Sequence, residues 1–321
     1  MSRILVLSLF LAGLALATAV VIWLGAGKIA QAILAIGLRG IVFVIAWQLF
    51  VYVVLGLAWR IVFPGAPLWL VIWGRLVREG GENCLPLSEV GGLVFSTRAM
   101  MLGGAELHSA AASSIVDVIA EGIGLALFML LGLTLLTARA HDTQLIWAMA
   151  GSLLALMVGA GACYLERARL SRLLRWVTTR LLQPWTKDAP QQAKTLQHEV
   201  ADLLAQPGRI AGASAVHFLA WCGGGGNVWI AYQLLGAHVS VTAALGIESL
   251  LSSVLAIGFL VPGEFGVQEL SYMVIGSAFG APPHLSLALS LIRRARDILI
   301  GAPALGLWQA LEARQLRVNK P

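Results

Sequence analysis

Residues 258–270 read GFLVPGEFGVQEL, and Pro262, Gly263, Glu264, Gly266 and Glu269 interrupt a run that is otherwise fit for a lipid bilayer. The composition of the whole chain sets the context for these breakers. Of 321 residues, 59% are hydrophobic and 12% charged, with a mean hydropathy of +0.84. A soluble domain carries about 25% charged residues, so this is the composition of an integral membrane protein. Apolar runs of about 20 residues recur along the chain, each able to cross a hydrocarbon core of ~30 Å at ~1.5 Å rise per residue. They read as helices, not barrel strands, and the expected fold class is all-α.

Outward from the opening stretch, the region from Val241 to Gly280 has two short apolar arms around the breaker-rich centre PGEFG. A second region has the same design: from Pro67 to Gly104, two short arms flank REGGENCLPLSEVGG. In neither region is a single arm long enough to span, so both regions read as re-entrant hairpins, at about 67–104 and 241–280. Such backbone is tolerated at membrane depth only where it is buried in protein or lines a wet cavity. A cavity is therefore expected.

The formal charge of +6 is concentrated between Arg167 and Arg209 and in the tail Arg314, Arg317, Lys320. Placing these on the cytoplasmic side, rather than against nucleic acid, follows the positive-inside bias. Within the basic segment Leu170, Leu173, Leu174, Val177 and Leu181 line one helical face, suited to lying along the inner leaflet. The resulting topology has six spans and two hairpins, with both termini cytoplasmic. Ile4–Leu24 runs outward and Ile41–Phe63 inward, followed by the first hairpin, entered from the cytoplasm. Ala110–Leu136 runs outward and Leu145–Leu165 inward. After the basic loop, Ile210–Leu235 runs outward, the second hairpin enters from the periplasm, and Leu285–Leu311 returns. Lys28, Arg39 and Arg139 then fall outside. The chain divides into an N-terminal membrane half, 1–165, the loop, 166–209, and a C-terminal half, 210–321. An Ala-Leu-Ala in the first run raises a cleaved signal peptide, but the apolar length favours a retained anchor.

Sliding the chain on itself by 176 positions aligns Pro86 with Pro262, Gly104 with Gly280, Ala105 with Ala281, His108 with His284, Ser114 with Ser290, and Glu121 with Asp297. Each unit is a hairpin followed by a span. An odd number of spans separates the hairpins, so the units are expected to be inverted in the membrane, as in transporters whose sites lie at the repeat interface.

Nine of the sixteen carboxylates fall within these hairpins and spans: Glu79, Glu82, Glu89, Asp117, Glu121, Glu248, Glu264, Glu269 and Asp297. Six arginines join them: Arg75, Arg78, Arg98, Arg293, Arg294 and Arg296. A charge at mid-membrane costs ~2.5–3.5 kcal/mol to insert, so these groups must find one another. Asp117 and Glu121 share one helical face, as do Arg293 and Asp297, and facing stripes of opposite sign can meet. A purely structural ion-pair role competes with a functional one. The convergence of breakers and charge favours a functional cavity, because free N–H groups after Pro86 and Gly263 present positive dipole ends. Arginine is the fork-shaped donor for phosphate or carboxylate. The expected guest is an anionic or zwitterionic head group.

Other chemistry has no foothold. Cys84, Cys163 and Cys222 lie far apart, the six histidines are scattered, and no zinc, P-loop or nucleophile-elbow pattern occurs. No metal, cofactor or enzymatic activity is expected, and no ATP motor. The run CGGGGNVW at 222–229 reads as helix packing. Trp23, Trp69, Trp73, Trp147 and Trp308 read as interfacial anchors, and His108 and His284 as facing water.

The segments NCLPLSEVGG, PGEFGVQE, the Asp117 span and RRARD together resemble the lysylphosphatidylglycerol synthase transmembrane-region family over nearly the whole chain. More narrowly, LVPGEFGVQELSY and RRARDILIGAPAL resemble membrane proteins associated with bacterial hopanoid biosynthesis. The resemblance implies a lipid flippase architecture with two re-entrant hairpins meeting in the membrane. By position it carries over the apex residues Pro86, Glu89, Pro262, Glu264, Gly266 and Glu269, and the span residues Asp117, Arg293, Arg294 and Asp297. Family members that synthesise lysyl-lipid carry a soluble aminoacyl-transferase domain, absent before Pro321, so translocation rather than synthesis is what carries over.

The combined expectation is a translocase for a hopanoid or phospholipid. Arg98, Arg293, Arg294 and Arg296, with Glu89, Glu264 and Glu269, hold the head group. Asp117, Glu121 and Asp297 serve ion pairing or coupling, and Pro86, Pro262, Gly263 and Gly266 shape the apexes. The driving force is an ion gradient or a concentration difference. Two alternatives remain: a non-transporting partner that engages lipid-biosynthesis proteins through the basic loop, and a membrane-embedded lipid-modifying enzyme with Glu264 or Glu269 as base.

Overall fold

The computed structural model describes residues 26–84, 88–139, 146–147, 149–155, 158, 189–258 and 267–318. The elements among them are helices: α1 (Ala26–Val62), α2 (Leu68–Cys84), α3 (Ser88–Leu102), α4 (Leu107–Arg139), α5 (Ala189–Leu204), α6 (Pro207–Leu234), α7 (Val241–Gly258), α8 (Val267–Ala278) and α9 (Pro283–Val318). Residues 149–155 are helical as well, and no strand occurs among the described residues. The expected span Ile4–Leu24, most of Leu145–Leu165 and the amphipathic stretch from Leu170 to Leu181 lie outside the described residues.

Polarity is arranged in reverse of a soluble protein. α1 exposes Leu34, Leu38, Val42, Phe43, Phe50, Val53 and Leu57, and α4 exposes Val118, Ile119, Ile123, Leu127 and Leu130. Arg75, Arg78, Asp117, His217, Glu248 and Arg296 are buried. Apolar outer faces of this extent mark surfaces made for lipid or a partner. The stretches Leu34–Val62 and Leu107–Ala138 are long and apolar enough to cross a membrane. α6 and α9, with 28 and 36 residues, have ample length at ~1.5 Å per residue but carry glycines or charges along it.

The hairpin regions contain paired short helices. α2 and α3 have 17 and 15 residues, α7 and α8 have 18 and 12, and all fall short of a ~30 Å core. α2 packs on α3 and α7 on α8. Residues 85–87 and 259–266 between them, hence Pro86, Pro262, Gly263, Glu264 and Gly266, lie outside the described residues, as does the side chain of Glu89.

The 176-residue offset reappears in backbone hydrogen bonds. At the end of α3, Gly103 N–H donates to Ala99 and Met100, Gly104 to Met101, and Ala105 back to Met100. At the end of α8 the same donors recur one offset later: Phe279 to Ile275 and Gly276, Gly280 to Ser277, and Ala281 to Gly276. Both form a Schellman-type stop, whose left-handed residue is Gly104 (φ 96°) in one unit and Gly280 (φ 83°) in the other. The helices match throughout, with α1–α4 answering to α6–α9. Their packing exchanges partners accordingly: α4 packs on α6 as α9 packs on α1, and α4 on α7 as α9 on α2.

The glycine run of α6 is a packing surface. A Cβ on Gly225 would stand 2.7 Å from the Leu245 side chain, and one on Gly226 would stand 2.9 Å from the Trp47 ring. Trp47 Nε1 donates to the Gly223 carbonyl at 2.8 Å, joining α1 to α6. The tryptophans divide: Trp69 and Trp147 are exposed, whereas Trp73 packs into the α1–α4 core and Trp308 sits 5.0 Å from the Phe95 ring.

Two boundaries differ from expectation. α1 begins at Ala26 and is broken by non-helical geometry at Gly37 (φ 69°), so Lys28 and Arg39 lie in helical backbone on either side of a kink and not in a loop. The basic segment does not remain a loop as far as Arg209, because α5 docks where Val200 and Leu203 meet Val116, Ala120 and Ala213, and α6 already begins at Pro207. His108 helps hold this dock, with Nε2 2.9 Å from Glu106 and 3.1 Å from Glu199, while His284 is exposed.

Gly104→Ala and Gly280→Ala should each destabilise the protein by about 1–2 kcal/mol, the strain of a side chain in the left-handed region. Gly306→Ala, on an open helical face, should be neutral or mildly stabilising. Thermal unfolding in lipid-containing micelles measures all three.

Candidate functional site

α2 has the sequence LWLVIWGRLVREGGENC, whose charges fall one turn apart on one side of the helix. Arg75 reaches Glu79 at 2.7 Å and Arg78 reaches Glu82 at 2.7 Å, the i,i+4 spacing at which helical side chains meet. Both guanidinium groups also cross to α4. Arg75 donates to both Glu121 oxygens, Nη1 to Oε2 at 2.9 Å, and Arg78 Nη2 is 3.0 Å from Glu121 Oε2. Asp117, one turn before Glu121, is 3.5 Å from Arg75 and 3.7 Å from Arg78. Its Oδ1 lies 2.9 Å from His217 Nε2 on α6.

The second half builds its own cluster with the signs exchanged. Here the long helix α9 provides the cation: Arg293 Nη1 donates to Glu248 Oε1 of α7 at 2.6 Å and to the Tyr272 hydroxyl of α8 at 2.9 Å. Tyr272 in turn donates to Glu248 Oε2 at 2.9 Å. Arg296 Nε donates to Asp297 Oδ1 at 2.8 Å.

The two clusters face a common space. A cavity of about 160 Å³ is walled by α1, α2 and α4 from one half and α6, α7 and α9 from the other. Arg75, Arg293 and Arg296 line it against five carboxylates, Glu79, Glu82, Glu121, Glu248 and Asp297. Gln48, Asn83 and Tyr52 add neutral polar groups. Sites for drug-sized ligands enclose about 300–1,000 Å³, so this one admits a small polar group and not a whole lipid. Its lining offers guanidinium forks to an anion and an excess of carboxylates to a cation.

Of the residues expected to act, Arg293, Arg296, Glu121 and Asp297 line the cavity, and Asp117 stands behind Arg75. Arg294 instead pairs with Glu269 of α8 at 2.6 Å, and Arg98 grips both oxygens of Glu312 near the far end of α9 at 2.7–3.1 Å. Neither pair belongs to the lining. Arg75, Arg78, Glu79, Glu82 and Glu248, expected only as charges that must find partners and given no head-group role, carry the site as well. Their signal was present as charge at helical spacing within an apolar arm. His217 and Tyr272 gave none, being single polar residues in apolar helices.

Because Glu248 is 3% exposed and holds Arg293, Glu248→Ala should lower stability by about 3–5 kcal/mol, the usual result of stranding one member of a buried pair. Tyr272→Phe should cost about 1.5–3 kcal/mol, since its hydroxyl bridges two charged groups. Equal effects from the two, measured by thermal unfolding in micelles, would contradict this ordering.

A match to the family model of the lysylphosphatidylglycerol synthase TM region extends over residues 10–304. No curated protein and no solved structure matches the chain. The apolar outer faces and the buried charge agree with a membrane location, and the match takes in both helical units together with the cavity between them. The chain thus belongs to the lysylphosphatidylglycerol synthase TM-region family, membrane proteins linked to lipid modification or transport.

Proposed function

We propose that the protein is a lipid translocase, and not an enzyme, that carries a polar head group between leaflets of a bacterial inner membrane. The observation that supports this most directly is a small polar cavity shared by two corresponding helical units whose outer faces are apolar. In this reading the units lie inverted in a six-span topology, each contributing one re-entrant hairpin. The head group enters the cavity while its tails stay in lipid along α1 and α4. Arg75, Arg293 and Arg296 engage its phosphate. The surplus carboxylates engage an ammonium, so a zwitterionic phospholipid suits the lining better than a purely anionic one. A hopanoid with a polar side chain is a second substrate class of the right amphiphilic form. Rocking of one unit against the other, through exchange of the ion pairs at their interface, opens the site to one leaflet at a time.

Labelled zwitterionic and anionic phospholipids and a hopanoid, each in liposomes with the purified protein, test this through exposure to an impermeant quencher. The expected result is protein-dependent movement, fastest for one class. Arg293→Ala and Glu79→Gln should slow it at least ~10-fold, equivalent to ~1.4 kcal/mol of barrier, and Gly306→Ala should leave it unchanged. Folded, inserted protein that moves none of the lipids would overturn the translocase and favour a non-transporting partner of lipid-biosynthesis proteins. Chemical conversion of a lipid would favour the enzyme.

A further inference from the structure

His217 and Asp117 are the driest charged or titratable pair in the site, 0% and 1% exposed, and the head-group scheme above does not use them. His217 Nε2 meets Asp117 Oδ1 at 2.9 Å. His217 Nδ1 and Asp117 Oδ2 make no hydrogen bond among the described residues, because Arg75 and Arg78 stand off from Oδ2 at 3.5 and 3.7 Å. The groups around the pair are Arg75, Arg78, Glu79 and Glu82 from α2 and Glu121 from α4. Across the cavity lie Tyr52 of α1, Glu248 of α7, and Arg293, Arg296 and Asp297 of α9. On the α5 side, Glu199 is occupied by His108.

The ion pairs connect Arg75 and Arg78 to Glu79, Glu82, Asp117 and Glu121, two cations against four carboxylates. Glu79 and Glu82 reach the cavity, where water can solvate them, but Asp117 does not. Two guanidinium groups shared among four carboxylates leave Asp117 only partly compensated away from water, at a cost of several kcal/mol, and a proton held between His217 and Asp117 supplies the missing charge without a further side chain. We propose that His217 and Asp117 form a proton-binding site that couples lipid movement to a proton gradient. The functional half of this rests on the translocase reading.

With the proton bound, the imidazolium neutralises Asp117, and Arg75 stays on Glu79 and Glu121, as in the structure. When the proton leaves for cavity water by way of Glu121, which stands one turn from Asp117 and lines the cavity, Asp117 draws Arg75 and Arg78 inward. Glu79 and Glu121 are then bare toward the cavity and hold a cationic group more tightly. Proton and ammonium therefore compete, and by linkage each lowers the affinity of the other equally. Only N–H and O–H bonds form and break.

Two measurements on the full-length protein in liposomes test this. In the first, nitrogen NMR of labelled histidines between about pH 5 and 8, with the His217 signal identified by its loss in His217→Gln, should show that ring titrating. Asp117→Asn should move its midpoint. In the second, wild-type lipid movement under imposed pH gradients of opposite sign should differ by about fivefold or more, and His217→Gln should abolish the difference while still moving lipid. A ring fixed in one protonation state across the range overturns the proposal. So does wild-type movement that ignores the gradient yet still requires Arg293, which would leave the translocase standing. A titrating ring in protein that moves no lipid supports the proton site and overturns the translocase alone. The gradient readout on the wild type does not depend on a variant folding.

Discussion

A guanidinium group inside an apolar slab cannot shed its charge, so everything near Arg75 must be arranged to meet it. Its side chain is 3% exposed and engages Glu79 on its own helix and Glu121 on α4, with Asp117 just beyond. α2 is too short to span and too charged to stand alone, and α4 supplies further negative charge that holds it at depth. Asp117 then brings in His217, and with it α6. Three helices distant in sequence are thus fixed relative to one another by the needs of one buried cation. Arg293 does the same for α7, α8 and α9 through Glu248 and Tyr272. Replacing either set by apolar side chains could match it for stability, but the cavity would then have nothing to bind with.

The repeated scaffold carries different chemistry in its two copies. Asp117 and Glu121 on α4 correspond in position to Arg293 and Asp297 on α9, one offset later. In the first unit the long helix offers carboxylates to arginines of the hairpin, and in the second it offers an arginine to a carboxylate of the hairpin. Both halves therefore present both signs to the cavity, and a guest that inserts between them meets each within one small volume. This arrangement suits a group that must be released as readily as it is bound, because every contact it makes has a protein group waiting to take it back.

Much of this was legible because membrane insertion imposes local rules. Short arms, breakers and the glycine stops at 104 and 280 mark the hairpin regions, and the offset between units can be read by eye. Charge in an apolar run announces that a partner exists, as with Arg75, Arg98 and Arg293 alike. It does not say which partner, because Arg98 and Arg75 look equivalent in sequence, yet one reaches Glu312 on α9 and the other the cavity. His217 illustrates the limit: its contact lies 100 residues away, and neither helix shows a local pattern that pairs the two. The docking of α5 was hidden for a similar reason, since its polar composition reads as a solvated segment until Val200 and Leu203 meet the core.

The hydrogen bond from Trp47 to Gly223 joins two residues that occupy equivalent places in the two units. Where the units meet at equivalent positions, two identical polypeptides would have to put the same residue on both sides, and two tryptophans could not share the space that Gly226 leaves for one ring. A single chain is free of that restriction. The indole lies across the junction as a wedge seated in one half, which gives the assembly a handed, lopsided seam. Each direction of rocking about that seam then has its own mechanical resistance, so the inward-facing and outward-facing forms of a duplicated fold need not be equal in energy even with the site empty.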